Sequence, residues 1–267
     1  MKKYYFISGL PRSGSTLLSA ILRQNPDIYA DIASPVETIT WDSIETITHS
    51  ENNNLILEDQ RKNLMYGIFD GYYKQIERSI IFDSSRSWTK RTNFIKNLFP
   101  YSKILCPVRD CVSIINSFET IFSKNSFEGN ILLEDIEDVF LRSDSTFKGK
   151  IQNPLKYLME GYALNPDMIH FIEYENLCNE PEKSMREVYK FLDMPYYNHD
   201  FDHVTYSNEE YDKACNLKGL HTVRNKVEYK PPRIILPPEI VEEYGRRNIE
   251  FWKDIIDRSY GNDLKYN

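Results

Sequence analysis

The sequence lacks the features that mark disulfide-rich, metal-binding and membrane-spanning chains. Its four cysteines are widely spaced and form no C-x-x-C pair, which argues against a thiolate metal site or a disulfide framework. No apolar run approaches the length of a membrane span, and the run that follows the two N-terminal lysines is too short for a signal peptide. These absences predict a soluble cytoplasmic protein of a reducing compartment, with no membrane partner.

The chain also lacks an excess of basic residues. Its net charge of −7 and isoelectric point near 5.4 argue against a nucleic-acid partner. A length of 267 residues with 41% hydrophobic residues is enough for one substantial core, so we expect a single α/β domain over residues 1–267. Any site for anions must then be a local cluster of cations.

The sequence does contain a strand, a glycine loop and a helix in immediate succession near its N-terminus. Tyr4–Ile7 is a short apolar run, typical of a buried parallel strand. The turn Gly9–Thr16 then opens an apolar helical segment, which is the layout of a phosphate-binding loop. Ser15 occupies the position at which ATP- and GTP-binding loops carry a lysine, and the loop's cation is Arg12. We therefore predict a site for a nucleotide anion that needs no metal.

Strand-like and helix-like segments alternate along the rest of the chain. Three further apolar runs predict strands at Ser79–Asp83, Lys103–Val108 and Met168–Glu173. Such alternation predicts a three-layer, P-loop-like α/β fold in which helices flank a central parallel sheet. Four strands are visible, and a fifth can lie in the less regular segments.

Several segments show no clear period. Residues 119–150, rich in Ser, Asn, Asp and Glu towards their end, are predicted to be a surface insertion or lid. Residues 195–238 are predicted to be a loop region for the acceptor and the cofactor. Residues 28–49 are mixed, with a short helix that contains Val36, and an amphipathic helix begins near Ile240.

A second pair of polar side chains follows the third predicted strand. Arg109 stands at the end of that strand, and Ser117 comes eight residues later, a little over two helical turns away. An arginine provides charge-assisted hydrogen bonds and a serine hydroxyl adds a neutral donor. This pair is a candidate for a second anion site.

These motifs resemble those of sulfotransferases, which use 3′-phosphoadenosine 5′-phosphosulfate (PAPS) and release 3′-phosphoadenosine 5′-phosphate (PAP). LPRSGSTLL is similar to the family's 5′-phosphosulfate loop, in the form found in the bacterial and tyrosylprotein branch. Arg109 with Ser117 resembles its 3′-phosphate motif. The Tyr174–Leu177 turn and the Phe191–Pro195 segment resemble the family's Tyr-Glu-x-Leu and Phe-Leu-x-x-Pro motifs, so the resemblance covers most of residues 4–195.

The resemblance implies an EC 2.8.2 enzyme that moves a sulfuryl group, in line and without a metal, to a hydroxyl or amine acceptor. Arg12 is then the cation for the leaving oxygen. Trp88 is a candidate to stack on adenine or a core residue. Arg86 and Lys230 are the lesser candidates for binding the sulfate group. The full set of candidate PAPS-binding residues is Pro11, Arg12, Ser13, Gly14, Ser15, Thr16, Arg86, Arg109, Ser117, Tyr174 and Lys230.

The catalytic base is the open assignment. Glu37 is the first candidate, and it aligns with the glutamate of tyrosylprotein sulfotransferases if four residues are inserted. Asp31, His49 and His221 are the alternatives, and a histidine has a pKa suited to proton transfer near neutral pH.

The acceptor and the function class also keep alternatives. A small molecule, a carbohydrate or a peptide can be the acceptor, and the absence of a membrane anchor argues against a Golgi-type protein-tyrosine role. The alternatives to a sulfotransferase are a small-molecule kinase with Asp83 as a magnesium ligand, and a nucleotide-binding protein without catalysis.

Overall fold

The fold is organised around one parallel sheet. The computed structural model describes residues 2–124, 138–206, 212–213, 221 and 223–248. Among these residues, five strands pair in the order β2-β3-β1-β4-β5. The strands are β1 Lys3–Ile7, β2 Ile28–Ala30, β3 Ile80–Ser84, β4 Ile104–Val108 and β5 Ile169–Glu173. The helices are α1 Ser15–Leu22, α2 Val36–His49, α3 Glu58–Tyr72, α4 Thr92–Leu98, α5 Cys111–Lys124, α6 Val139–Thr146, α7 Gln152–Leu164, α8 Tyr174–Asn179 and α9 Pro181–Phe191.

Helices cover both faces of the sheet. Successive side chains of a strand point to opposite faces, so Tyr4 and Phe6 of β1 pack in one core and Tyr5 and Ile7 in another. The first core also contains residues of α3, α4, α5 and α7, and the second contains residues of α1, α8 and α9. The predicted three-layer architecture with a central parallel sheet is confirmed.

The strand that sequence reasoning did not locate is β2. It lies at the sheet edge, where Ile28–Ala30 pairs with Ile80–Phe82 of β3. Three residues are too few to show the alternation or the apolar run by which a strand is recognised. The mixed segment 28–49 therefore holds this strand as well as α2, which is longer than the predicted short helix.

The helices begin and end for local reasons. The Ser113 backbone N–H donates to Asp110 Oδ1 at 2.8 Å, so Asp110 caps α5. After β3, a 3₁₀ turn at Trp88–Arg91 leads directly into α4. Residues 238–248 are helical, with Ile240 buried in the first core.

The described parts of the segment 119–150, the predicted insertion or lid, are helical. Residues 119–124 end α5, and α6 is followed by a π-helical turn at Phe147–Ile151. Phe147 and Ile151 are buried in the first core. Asp138 caps α6, but eight residues are too few to show a helical period in the sequence. Residues 125–137 of the predicted lid lie outside the described residues.

The strand order brings the loops that follow β3, β1 and β4 to the same edge of the sheet. β1 pairs with β3 on one side and with β4 on the other, all in parallel. The chain therefore crosses from one half of the sheet to the other between β3 and β4. The crevice at such a switch point, beyond the carboxyl ends of the strands, is where open α/β sheets bind ligands.

Candidate active site

The loop after β1 is held tightly against β4. The Leu10 backbone N–H donates to the Pro107 carbonyl oxygen at 2.9 Å, and a Cβ on Gly9 would stand 2.1 Å from that oxygen. The Ser13 hydroxyl is buried, 2.6 Å from the Leu10 carbonyl oxygen and 2.7 Å from the Pro107 carbonyl oxygen. The side chain of Ser13, which the sequence predicts to bind PAPS, thus holds the loop in place.

The loop then turns into the N-terminus of α1. Gly14 has φ of 92°, in the left-handed region, and is the N-cap of the helix. Gly14, Ser15 and Thr16 line a cavity, whereas Pro11 is buried and does not line it. The backbone N–H groups that begin a helix, together with its dipole, favour an anion at this position.

The cavity has a volume of about 910 Å³ and is strongly cationic. Its described lining includes one carboxylate, that of Glu228, and nine lysine or arginine side chains. These cations are Arg12, Arg86, Arg109, Lys124, Lys150, Arg224, Lys226, Lys230 and Arg233. A chain with a net charge of −7 therefore concentrates positive charge in one concave site, which attracts anionic ligands.

Arg12 connects the glycine loop to α5. Its backbone has φ of 56°, and its Nε donates to Ser117 Oγ at 3.1 Å. Burial, with repulsion from Arg109 and Arg86, lowers the pKa of Arg12 to about 10. Arg12 thus stays protonated at neutral pH, and the two predicted anion sites are joined by a hydrogen bond.

Arg109 lies beside the same loop. Its Nη1 donates to the Arg12 carbonyl oxygen at 3.4 Å, and its Nε is 3.4 Å from Glu175 Oε1. Its guanidinium carbon is 4.3 Å from the centroid of the Tyr174 ring, and that ring lies 2.7 Å from the place of a Cβ on Gly14. Tyr174 is therefore wedged between the glycine loop and Arg109, and burial raises its pKa to about 12.

The segment 223–236 forms part of the cavity wall. Lys230, a predicted ligand, lines the cavity and pairs with Glu228. Asn116, next to Ser117 on α5, anchors the segment: its Nδ2 donates to the Arg233 carbonyl oxygen at 3.1 Å and its Oδ1 accepts from the Ile235 N–H at 2.9 Å. Sequence reasoning missed Asn116 and Arg233, because only the fold brings them together.

The candidate bases are widely separated in the structure. Glu37 does not line the cavity: it is buried and its Oε1 lies 3.3 Å from Arg91 Nε. Asp31 accepts hydrogen bonds from two tyrosine hydroxyls, and His49 is exposed at the end of α2. His221 lines the cavity. The preferred candidate from the sequence, Glu37, is thus engaged elsewhere.

His221 has an acidic partner that sequence reasoning missed. Its Nδ1 is 2.6 Å from Asp212 Oδ1, and its backbone N–H donates to Asp212 Oδ2 at 3.2 Å. The two residues are nine positions apart in the sequence, and nothing in that spacing indicates the contact. Arg224, also missed, stands three residues after His221 and lines the cavity.

Asp83 and Trp88 belong to the core. Asp83 Oδ2 accepts from the Ser34 and Tyr73 hydroxyls at 2.6 and 2.5 Å, and Oδ1 accepts from Trp88 Nε1 at 2.6 Å. Burial raises the pKa of Asp83, and Trp88 is 1% exposed. Trp88 is therefore a core residue and not an adenine platform. In the described part of the chain, no cluster of three His, Cys, Asp or Glu residues suits a metal ion.

Three animal proteins are similar to this chain over most of its length. A putative protein-tyrosine sulfotransferase of Caenorhabditis briggsae is 21% identical over 230 residues, which cover 84% of this chain and 78% of the relative. Protein-tyrosine sulfotransferase A of Caenorhabditis elegans is 23% identical, over 84% of this chain and 57% of the relative. The Drosophila melanogaster protein-tyrosine sulfotransferase is 25% identical, over 76% of this chain and 40% of the relative. The match thus spans about half or less of the latter two.

These relatives overturn the predicted cytoplasmic location. That prediction was based on apolar runs too short for a signal peptide or a membrane span, and it was set against a Golgi-type protein-tyrosine role. The relatives are protein-tyrosine sulfotransferases, so the prediction is wrong. Within the residues described, no helix combines the length and the apolar character needed to cross a bilayer.

Solved structures of sulfotransferases share the fold. The Alicyclobacillus acidocaldarius sulfotransferase superposes with a TM-score of 0.56 at 14% identity and covers 99% of this chain and 97% of its own. A mouse sulfotransferase, SULT7A1, complexed with PAP gives 0.52 at 14% identity over 94% of this chain and 85% of its own. The sulfotransferase domain of the curacin biosynthetic pathway gives 0.51 at 15% identity, over 92% of this chain and 97% of its own.

The family model described as "Sulfotransferase family" matches residues 5–198. This range begins within β1 and holds the other four strands, the glycine loop and the Arg109–Ser117 pair. Since the match covers well over half of the chain and agrees with both other comparisons, the resemblance carried by the two motifs is confirmed. This chain belongs to the sulfotransferase family.

Proposed function

We propose that this sulfotransferase moves the sulfuryl group of PAPS to an acceptor hydroxyl, without a metal ion. One observation carries the proposal. The glycine loop and the α5 motif, both of which the sequence assigns to anions, meet through the 3.1 Å hydrogen bond from Arg12 Nε to Ser117 Oγ. A ligand with two anionic ends would satisfy both.

The residues present fit such a donor. The N–H groups at the start of α1, with Arg12 and Arg86, would hold the 5′-phosphosulfate, and Arg109 with Ser117 would hold the 3′-phosphate. The donor carries roughly four negative charges at neutral pH, given about two for a terminal phosphate. Nine cations around the cavity can balance that charge. The PAP bound in the mouse neighbour also supports the choice of donor.

Arg12 is assigned to the leaving oxygen. When bound, PAPS supplies an activated sulfur whose departing phosphate oxygen gains negative charge. Arg12 stays charged, since its lowered pKa of about 10 is still far above neutrality. It would therefore stabilise that charge as a fixed cation and not as a proton donor.

A tyrosine hydroxyl on a protein or peptide is the first acceptor to test. The names of the three curated relatives support this choice over carbohydrates and small alcohols. An acceptor panel with a tyrosyl peptide, phenols and sugars, analysed by mass spectrometry for the gain of one sulfate, identifies the class. PAP binding without transfer to any acceptor would instead support a nucleotide-binding protein that has no catalysis.

The donor assignment is tested by calorimetric titration with PAP in buffer that contains EDTA. We expect PAP to bind without metal and more tightly than AMP, which lacks the 3′-phosphate that Arg109 and Ser117 would hold. Mg-ATP is the comparison for the kinase alternative. No binding of PAP, or binding of Mg-ATP in its place, would refute the proposal.

A further inference from the structure

The side chain of His221, which lines the cationic cavity, is paired with the side chain of Asp212. The side chain of His221 is 14% exposed and that of Asp212 is 8% exposed, so the 2.6 Å contact between Nδ1 and Oδ1 is shielded from water. A second contact, from the His221 N–H to the other carboxylate oxygen, fixes the acid relative to the backbone. The pair is thus built to hold one ring orientation.

We propose that His221 is the base that takes the acceptor's proton and that Asp212 positions its ring, a role that rests on the proposed sulfuryl transfer. A carboxylate on Nδ1 keeps the proton on that nitrogen, which leaves Nε2 as the nitrogen that accepts a proton. Asp212 also stabilises the imidazolium that forms. This is the general logic of a base oriented by a third group.

The other candidates are less suited. Glu37 is held by Arg91, whose guanidinium carbon lies 3.1 Å from the centroid of the Trp41 ring, and none of these three residues lines the cavity. On the described cavity wall, Glu228 is paired with Lys230. Tyr174 keeps its proton because burial raises its pKa to about 12. His221 remains as a group that can lose and gain a proton near neutral pH.

The charges around His221 favour the neutral, basic form. Burial lowers the pKa of His221, and the positive charges of Arg12 and Arg86 lower it further. Asp212 acts in the opposite direction, through its hydrogen bond and its charge, without cancelling the decrease. The imidazole is therefore deprotonated at neutral pH, so no proton must be removed from the base before the reaction.

The proposed step is balanced. The acceptor hydroxyl oxygen forms a bond to sulfur while its proton moves to His221 Nε2. The bond between sulfur and the bridging oxygen breaks, and its electron pair stays on the 5′-phosphate, next to Arg12. The products are the sulfated acceptor and PAP, and the imidazolium then releases its proton to water.

The test compares His221→Asn and Asp212→Asn with a matched control, His203→Asn. His203 also has an aspartate partner on Nδ1, Asp200 at 2.9 Å, but both side chains are largely exposed and outside the cavity. We expect kcat for transfer from PAPS to a tyrosyl peptide to fall about 10²- to 10⁴-fold in His221→Asn. The Kd for PAP should be unchanged in His203→Asn and should not rise in His221→Asn or Asp212→Asn, because Asp212→Asn only removes a negative charge that acts on Arg12.

The pH profile separates a positioning role from a structural one. Above its pKa His221 is neutral and active, so the acid limb of kcat follows that pKa. In Asp212→Asn the stabilising charge is lost while Arg12 and Arg86 remain, so kcat should fall and the acid limb should move to lower pH. An acid limb that stays in place in Asp212→Asn would overturn the role of Asp212.

A measurement without any acceptor keeps the inference testable. The imidazole signals of the protein, assigned with His221→Asn, are titrated by NMR with and without PAP. We expect the pKa of His221 to fall in Asp212→Asn and to rise when PAP adds negative charge to the cavity. If PAP binds normally but this pKa does not respond, or if Glu37→Gln and not His221→Asn abolishes transfer, the inference fails while the donor assignment stands. A failure of PAP binding in the unchanged protein would instead refute the proposed function.

Discussion

Replacing Gly14 by alanine should weaken donor binding through two effects that the structure makes explicit. Gly14 has φ of 92°, where an alanine costs roughly 1–2 kcal/mol. Its Cβ would also stand 2.7 Å from the Tyr174 ring, which must then move. Because Arg109 packs on the other part of that ring at 4.3 Å, the shift would displace the proposed 3′-phosphate ligand. Loss of one charge-assisted hydrogen bond is worth about 1.5–3 kcal/mol, so we expect the Kd for PAP to rise about 10- to 100-fold.

The assay is calorimetric titration with PAP, with urea unfolding measured on the same samples. Gly67→Ala is the matched control, because Gly67 lies within α3 with nothing within 4 Å of an added Cβ. That control should gain up to about 1 kcal/mol of stability and bind PAP unchanged. If Gly14→Ala is folded and binds PAP as tightly as the unchanged protein, the glycine loop is not the anion cradle.

Three further outcomes are expected. Arg109→Met should weaken PAP binding more than AMP binding, since AMP has no 3′-phosphate; equal losses for both ligands, by calorimetry, would contradict the assignment. Raising the salt concentration should weaken PAP more than AMP, because screening reduces the attraction of the cavity's cations for each extra charge; equal salt dependence would argue against it. Burial lowers the pKa of His199 to about 4, so between about 4 and the unfolded value near 6.5 the unfolded chain binds the extra proton and the free energy of unfolding falls as pH drops. In the unchanged protein this should lower the free energy of unfolding by up to about 2 kcal/mol between pH 6.5 and 5. Urea unfolding should show that His199→Asn abolishes this part of the decrease and that His203→Asn, at an exposed position, does not.

The fold could be predicted largely from the sequence, because its strands and helices carry local patterns. The apolar runs at Tyr4–Ile7 and Lys103–Val108 are long enough to identify buried strands, and Asp110 marks the start of α5. β2 was not located, because an edge strand of three residues has no measurable period. The buried turn at Phe147–Ile151 was missed since its polar neighbours hide two core residues.

The candidate site also contains residues that the sequence could identify and residues that it could not. The loop cation Arg12 and the Arg109–Ser117 pair could be identified because each motif is contiguous or lies on one short strand-to-helix unit. The pairing of Asp212 with His221 is a contact between residues nine positions apart, and that spacing carries no information about it. Glu37 was ranked first by alignment alone, which cannot reveal that Arg91 holds it away from the cavity wall.

The two proposed anion sites are linked by hydrogen bonds and packing, so their contributions to donor affinity should not add independently. Arg12 belongs to the glycine loop, yet its Nε bonds Ser117 and its carbonyl oxygen accepts from Arg109. Tyr174 fills the space between Gly14 and Arg109, so a change on either side is transmitted through a packed ring. Residues that share partners in this manner typically show coupling of about 0.5–3 kcal/mol in double-mutant cycles. A nucleotide with only one phosphate would therefore bind at one of the two sites and leave the protein contacts of the other site in place. A doubly phosphorylated adenosine would bind at both coupled sites, which gives a physical basis for preferring it.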